Sequence, residues 1–257
     1  MEGELQIEAV VTAVVAVGAR VSGLLVFTPF LGSDAIAPRI KIGLVVLLTA
    51  LLYPVCGPRQ LSLTAGGALR MMLSEALVGL LIGLSAQFVF EAAQFAGQVM
   101  GTQVGFGLVN IIDPNTQVDT PVLAVFAQTI TMLIFLQLGV HRWLLRGLAN
   151  SFGYLPAGTA IAGGAVARQL LHAAGGILLA GVQLAAPALI ATLLADMVLG
   201  FLGKASPQLP VLFLGLSVKS MVGLSVLALS LKYWPAIFER YFTSAIHSGE
   251  RLLQLAH

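Results

Sequence analysis

Apolar residues fall in six long runs along the chain, separated by short polar or glycine- and proline-rich interruptions. A helix needs about 20 apolar residues to cross a bilayer core. The runs at 9–31, 42–56, 71–95, 122–140, 173–202 and 211–231 therefore predict membrane-spanning helices. The second is short enough to be tilted, kinked or only partly inserted. The fifth carries Pro187, which breaks or bends a helix unless neighbouring groups satisfy the freed carbonyl. Residues 142–169 read as a semi-polar connector containing the turn-like Leu155-Pro156-Ala157-Gly158. In the tail, 232–257, Trp234, Phe238, Tyr241, Phe242 and Ile246 recur at helical spacing among charges. That pattern predicts an amphipathic helix lying at the membrane interface or docking on a partner. No run alternates as a strand does, so the expected fold is all-α, a polytopic membrane-type helical protein. Nor is there a sign of the matched inverted halves common in transporters.

Composition sharpens the class. Of 257 residues, 58% are hydrophobic and only 9% charged, with a mean hydropathy of +0.96, which lies far outside soluble-domain values. The net charge of +2 is small, and no basic run interleaved with aromatics points to nucleic acid. The opening MEGELQIE has Glu2, Glu4 and Glu8 and no basic residue, unlike a secretory signal, so the first apolar run is expected to persist. The lone Cys56 excludes an internal disulfide and a cysteine-rich metal site. With six spans, Arg59, Arg70, Arg142, Arg146, Arg168, Lys232, Arg240 and Arg251 collect on one side, against Arg39, Lys41 and Lys204 on the other. The positive-inside rule then favours both termini in the cytoplasm.

Ionisable residues inside apolar runs cost roughly 2.5–3.5 kcal/mol each unless they find a partner or water. Arg20, Glu75, Glu91, Asp196 and Lys219 are such residues. Folding 196–219 as an antiparallel hairpin puts Asp196 and Lys219 at similar depth, where they can pair; each facing a neighbouring subunit or a headgroup is the alternative. Gln87, Glu91, Gln94 and Gln98 share one helix face, which suits a polar lumen or a subunit seam and equally a buried helix contact. Gly79/Gly83 and Gly97/Gly101/Gly105 repeat every fourth residue and favour close helix approach.

Chemistry for catalysis does not assemble. No phosphate-binding loop occurs, since Gly200-Phe201-Leu202-Gly203-Lys204-Ala205 has the wrong spacing. The histidines His141, His172, His247 and His257 lack metal-ligand spacing, and no nucleophile motif is present. An enzyme is not expected, and neither is a cofactor or a metal. His141, just before Arg142-Trp143 at a span end, suits a membrane-edge anchor.

One stretch fits neither helix nor watery loop: GTQVGFGLVNIIDPNTQVDTP, 101–121. With its flanks it carries a resemblance. Phe90-Glu91-Ala92-Ala93-Gln94, Gln103-Val104-Gly105-Phe106-Gly107, Asp113-Pro114, Pro121-Val122-Leu123-Ala124, Phe135-Leu136 and Gly139-Val140-His141 follow in order. Later come Leu199-Gly200-Phe201-Leu202, Ala205-Ser206-Pro207-Gln208-Leu209 and Phe213-Leu214-Gly215-Leu216-Ser217-Val218-Lys219. The series resembles the FliR family of flagellar export-gate proteins across nearly the whole chain, and virulence-type secretion proteins are related to it. Departures are local: Leu216-Ser217 stands where that family often has Phe-Pro, and Pro210 where Asn is common.

The resemblance implies a non-enzymatic subunit of the bacterial inner membrane at the flagellar basal body. It implies assembly with FliP and FliQ subunits, alongside FlhB and FlhA, into a gate that passes unfolded flagellar proteins. It also implies a division into a FliP-like part, 1–172, and a FliQ-like hairpin, 173–231, followed by the tail helix 232–257. The stretch 101–121 would then project into the closed pore as a plug made by Gly105, Phe106, Gly107, Leu108, Val109, Asn110, Ile111, Ile112, Asp113 and Pro114. Its glycines permit tight bends, its apolar side chains fill a lumen, and Asp113-Pro114 stops helix propagation. Without the resemblance, a re-entrant connector reads equally well. The alternative function is a secondary transporter of a small solute using Glu91, Asp196 or Lys219.

Overall fold

The computed structural model describes residues 2–29, 32, 36–56, 65–106, 122–156, 164–206 and 211–255. The helices are α1 (Glu2–Phe27), α2 (Pro38–Cys56), α3 (Ala65–Val104), α4 (Val122–Gln137), α5 (Val140–Tyr154), α6 (Gly164–Ala205), α7 (Val211–Ser230) and α8 (Trp234–Leu255). A 3-10 turn, Leu231–Tyr233, joins the last two. No strand occurs among the described residues, so the chain is all-α. Windows in α1, in α3, in α6 and through α7 into α8 are long and apolar enough to cross a membrane, and α4 with α5 adds a fifth as a bent pair. α2, the shortest of the six expected spans, is not in this set.

Three expectations need correcting. The region read as a semi-polar connector begins instead as helix α5, whose Val140, Leu144, Leu148 and Ser151 form a buried stripe at helical spacing. α4 stops because Gly139 adopts φ 66, a left-handed backbone that α4 cannot continue through. The chain bends there by 64° before α5 starts. Second, α3 does not end near residue 95; it runs on through Gly101 to Val104, so the first residues of the glycine-rich stretch are helical. Third, the aromatic face of the tail is used within the chain: Trp234, Phe238 and Phe242 are all buried. Trp234 meets Phe238 edge-on at 5.7 Å, and Phe242 meets Phe135 at 5.6 Å. Tyr241 and Ile246, on the same helix, stay half-buried.

The chain divides into two compact units. One gathers Met1–Phe88, Phe135–Ala174 and Phe242–His257. Here α1 and α3 cross at backbone contact: a Cβ on Gly79 would lie 1.9 Å from the Arg20 carbonyl, and one on Gly23 2.1 Å from that of Ala76. Gly83 meets Leu24 in the same way. Contacts climb both helices together, so α1 and α3 run parallel. The other unit gathers Val89–Ile134 and Gly175–Tyr241. In it Gly97 meets the backbone of Leu123 and Ala124 on α4, and Gly181 of α6 meets Ala92 and Phe95 of α3. The glycines predicted to permit close approach at 79, 83 and 97 do so. In lipid, where helices gain little from apolar burial against one another, such contacts supply dispersion energy.

Candidate functional site

Two clusters stand out, one in each unit. In the first, Arg20 and Glu75 are fully buried. Arg20 Nε donates to Glu75 Oε2 at 2.6 Å, Nη1 to Ser151 Oγ at 2.8 Å and Nη2 to the Leu155 carbonyl at 3.0 Å. The Phe152 ring lies 3.8 Å from the guanidinium carbon. All three nitrogens are thus engaged, and a cation–π contact covers the plane. Ser151, Phe152 and Leu155 belong to the C-terminal end of α5, where carbonyls lack helical partners and the helix dipole is negative. Arg20 therefore caps α5 while Glu75 neutralises it, tying α1, α3 and α5 together. The arrangement is a structural clamp: it leaves no valence for chemistry. Both residues were legible as costly charges, but not as partners. The missed signal is that each lies about one turn before a close-contact glycine, Arg20 before Gly23 and Glu75 before Gly79.

The second cluster holds the end of α3. Gly105 takes φ 101, its N–H reaches the Thr102 carbonyl at 3.3 Å, and the Phe106 N–H reaches that of Gly101 at 3.0 Å. This pair of bonds is a Schellman cap, which places a left-handed glycine just past a helix end. α7 seals it from the side. Ser220 Oγ donates to the Val104 carbonyl at 2.7 Å, another carbonyl without a helical donor. A Cβ on Gly223 would be 2.4 Å from Val104 Cγ2, and one on Gly105 2.2 Å from Leu216 Cδ1. Leu216, Ser220 and Gly223 sit at i, i+4 and i+7 on α7, one face turned to the end of α3. Phe106 follows, exposed. The remaining expected plug residues, Gly107, Leu108, Val109, Asn110, Ile111, Ile112, Asp113 and Pro114, lie outside the described residues.

On its other side α7 pairs with α6 as an antiparallel hairpin. Gly215 approaches Leu199, and Gly223 approaches Thr192. Between them Lys219 Nζ donates to Asp196 Oδ2 at 2.8 Å, with the aspartate side chain 43% exposed and the lysine 20%. Lys219 is the residue before Ser220, so the ion pair and the α3 seal occupy one turn of α7. The polar face Gln87, Glu91, Gln94 and Gln98 runs along α3, the first three half-buried and Gln98 exposed. Gln87 and Glu91 both have polar partners.

Residues 11–245 match the family described as bacterial export proteins, family 1. The chain belongs to that family. Among curated relatives, the flagellar biosynthetic protein FliR of Escherichia coli (strain K12) is 30% identical over 209 residues, 81% of this chain and 80% of the relative. FliR of Bacillus subtilis (strain 168) is 28% identical over 240 residues, 92% of each chain. The surface presentation of antigens protein SpaR of Shigella sonnei is 26% identical over 215 residues, 81% of this chain and 80% of SpaR. The family match includes both helices of the α6–α7 hairpin and the end of α3, so the Schellman cap and its α7 seal are part of the shared region.

Proposed function

We propose that this export-family chain is a structural pore subunit of a flagellar type III export gate, helping to form and to close the channel for unfolded flagellar proteins. The observation carrying the closing role is the sealed end of α3. Ser220, Leu216 and Gly223 hold Val104 and Gly105 against α7, fixing the point from which the apolar stretch beginning at Phe106 departs. A stretch meant to block a lumen needs a rigid base, and a capped, side-sealed helix end is one. The plug consists of Gly105, Phe106, Gly107, Leu108, Val109, Asn110, Ile111, Ile112, Asp113 and Pro114, and the polar face Gln87, Glu91, Gln94 and Gln98 lines the lumen or a subunit seam. FliP and FliQ subunits, FlhB and FlhA are the proposed neighbours, in the inner membrane at the flagellar base. The front part, 1–172, is FliP-like and 173–231 FliQ-like. A transporter reading is less well supported, because its charges are committed: Asp196 and Lys219 hold each other, and Glu91 is engaged.

The test is deletion of 105–112 in the assembled complex, followed by measurement of ion and small-solute leakage across cell membranes. The expected result is normal complex yield with raised permeability. Unchanged permeability in an assembled variant sinks the plug.

A further inference from the structure

Helix α5 carries a second surface that the export reading does not use. Its buried stripe, Val140, Leu144, Leu148 and Ser151, faces inward, while His141, Arg142, Arg146 and Asn150 are exposed. No acidic residue lies on α5, and none occurs anywhere between Asp119 and Asp196 in the sequence. Neither Arg142 nor Arg146 is in an ion pair among the described residues. The carboxylate of this unit's buried cluster, Glu75, is paired with Arg20, which itself bonds the far end of α5 at Ser151 and Leu155.

Where this face stands along the chain identifies its partner. α4, which precedes it, is apolar along its length (VLAVFAQTITMLIFLQ), and α5 leaves it at a 64° bend. The change from apolar to cationic happens at the bend. There Gly139 has no side chain, and the Arg142 guanidinium folds into the space: a Cβ on Gly139 would lie 2.7 Å from Arg142 Nη2. Arg142 is thereby held where the apolar run ends. Arg146 follows one turn later on the same face, and the half-buried Trp143 and exposed Tyr154 bracket the helix with amphipathic rings. A cationic amphipathic helix leaving an apolar one at a sharp bend, flanked by aromatic residues, matches the headgroup layer of a membrane.

We infer that Arg142 and Arg146, seated by the Gly139 bend, bind the headgroups of anionic phospholipids of the phosphatidylglycerol type. Two guanidiniums one turn apart offer several N–H donors to phosphate oxygens, and α5 itself carries no acid to compete for them. This inference does not depend on the export role.

Trp143 supplies the test. Reconstitute the full chain into nanodiscs in which either brominated phosphatidylglycerol or brominated phosphatidylcholine is the quencher, at equal mole fraction in otherwise identical mixed bilayers. Trp234, buried on α8, gives the background, and W143F identifies the signal. Brominated phosphatidylglycerol should quench Trp143 preferentially, with a local enrichment of roughly five-fold per arginine. R142Q/R146Q should abolish the preference, while R142K/R146K, which keeps the charge, should retain most of it and so separates charge loss from misfolding. Equal quenching by the two lipids in the parent chain, or a preference surviving R142Q/R146Q, overturns the proposal. The first result would leave this face to an acidic protein partner.

Discussion

Arg20 is the residue whose loss should hurt the first unit most. Its three nitrogens serve Glu75, Ser151 and the Leu155 carbonyl, all fully buried. Removing one member of a buried ion pair strands the other and costs about 3–5 kcal/mol, whereas replacing both with apolar residues is often nearly neutral. Glu75→Ala should therefore lower thermal stability in detergent sharply, and R20M/E75L should recover most of the loss; equal loss in both would mean that the Arg20 bonds to Ser151 and the Leu155 carbonyl contribute as much as stranding the charge costs. Gly105 is a second such point. Its φ of 101 is strained for any residue with a side chain, at about 1–2 kcal/mol, and a Cβ there also meets Leu216 Cδ1. Gly105→Ala should destabilise the second unit, and adding Leu216→Ala should return the steric part only. Complete rescue by L216A, read from unfolding midpoints, would show that the backbone is not strained there.

The α6–α7 hairpin is where one sequence expectation meets the geometry of the structure directly. Asp196 and Lys219 were expected at similar depth from their distances to the turn, and they stand 2.8 Å apart. As a solvent-exposed pair this would contribute little; in hydrocarbon, a charge left alone costs roughly 2.5–3.5 kcal/mol. Lys219→Met should thus reduce the yield of folded protein in membranes, and D196N/K219M should restore it, with protease protection of the hairpin as the readout. A double variant no better than the single would place Asp196 in water. Hairpin depth was legible because it needs only residue counts and the helical rise. The Arg20 cluster was not, because Ser151 and Phe152 come from α5 and Leu155 from its C-cap, and the polar residues of 142–169 disguise that helix as a connector. The same polar residues are what make α5 amphipathic, so the error was one of periodicity: Val140, Leu144, Leu148 and Ser151 mark the helix once the period is read across Arg142 and Arg146. The end of α3 was misjudged for a related reason. Gly101 and Gly105 lower helix propensity, but packing on α7 overrides it as far as Val104.

The whole chain leaves broad apolar surface uncovered. Leu178, Leu179, Ile190, Leu194, Met197, Val198 and Phe201 on α6 and Met221 and Leu229 on α7 are all more than half exposed. A monomeric soluble protein does not tolerate so much contiguous apolar area; lipid or other helices must cover it. The two covers predict different behaviour on extraction. If lipid alone covers the hairpin, detergent substitutes for it and the chain should purify as a well-behaved single species. If other apolar helices cover it, as the export-gate reading requires, the chain should leave native membranes with stoichiometric small helical membrane proteins, and should aggregate when produced without them. A mild affinity extraction followed by mass spectrometry of the co-purifying chains separates these cases. Partners that include a protein made of two hydrophobic helices would favour the gate, because such a hairpin can pack along α6–α7 as α6 and α7 pack on one another. A solitary, monodisperse chain that also binds a small solute would instead move the assignment to a transporter, and the Asp196–Lys219 pair would become the place to look for its coupling ion.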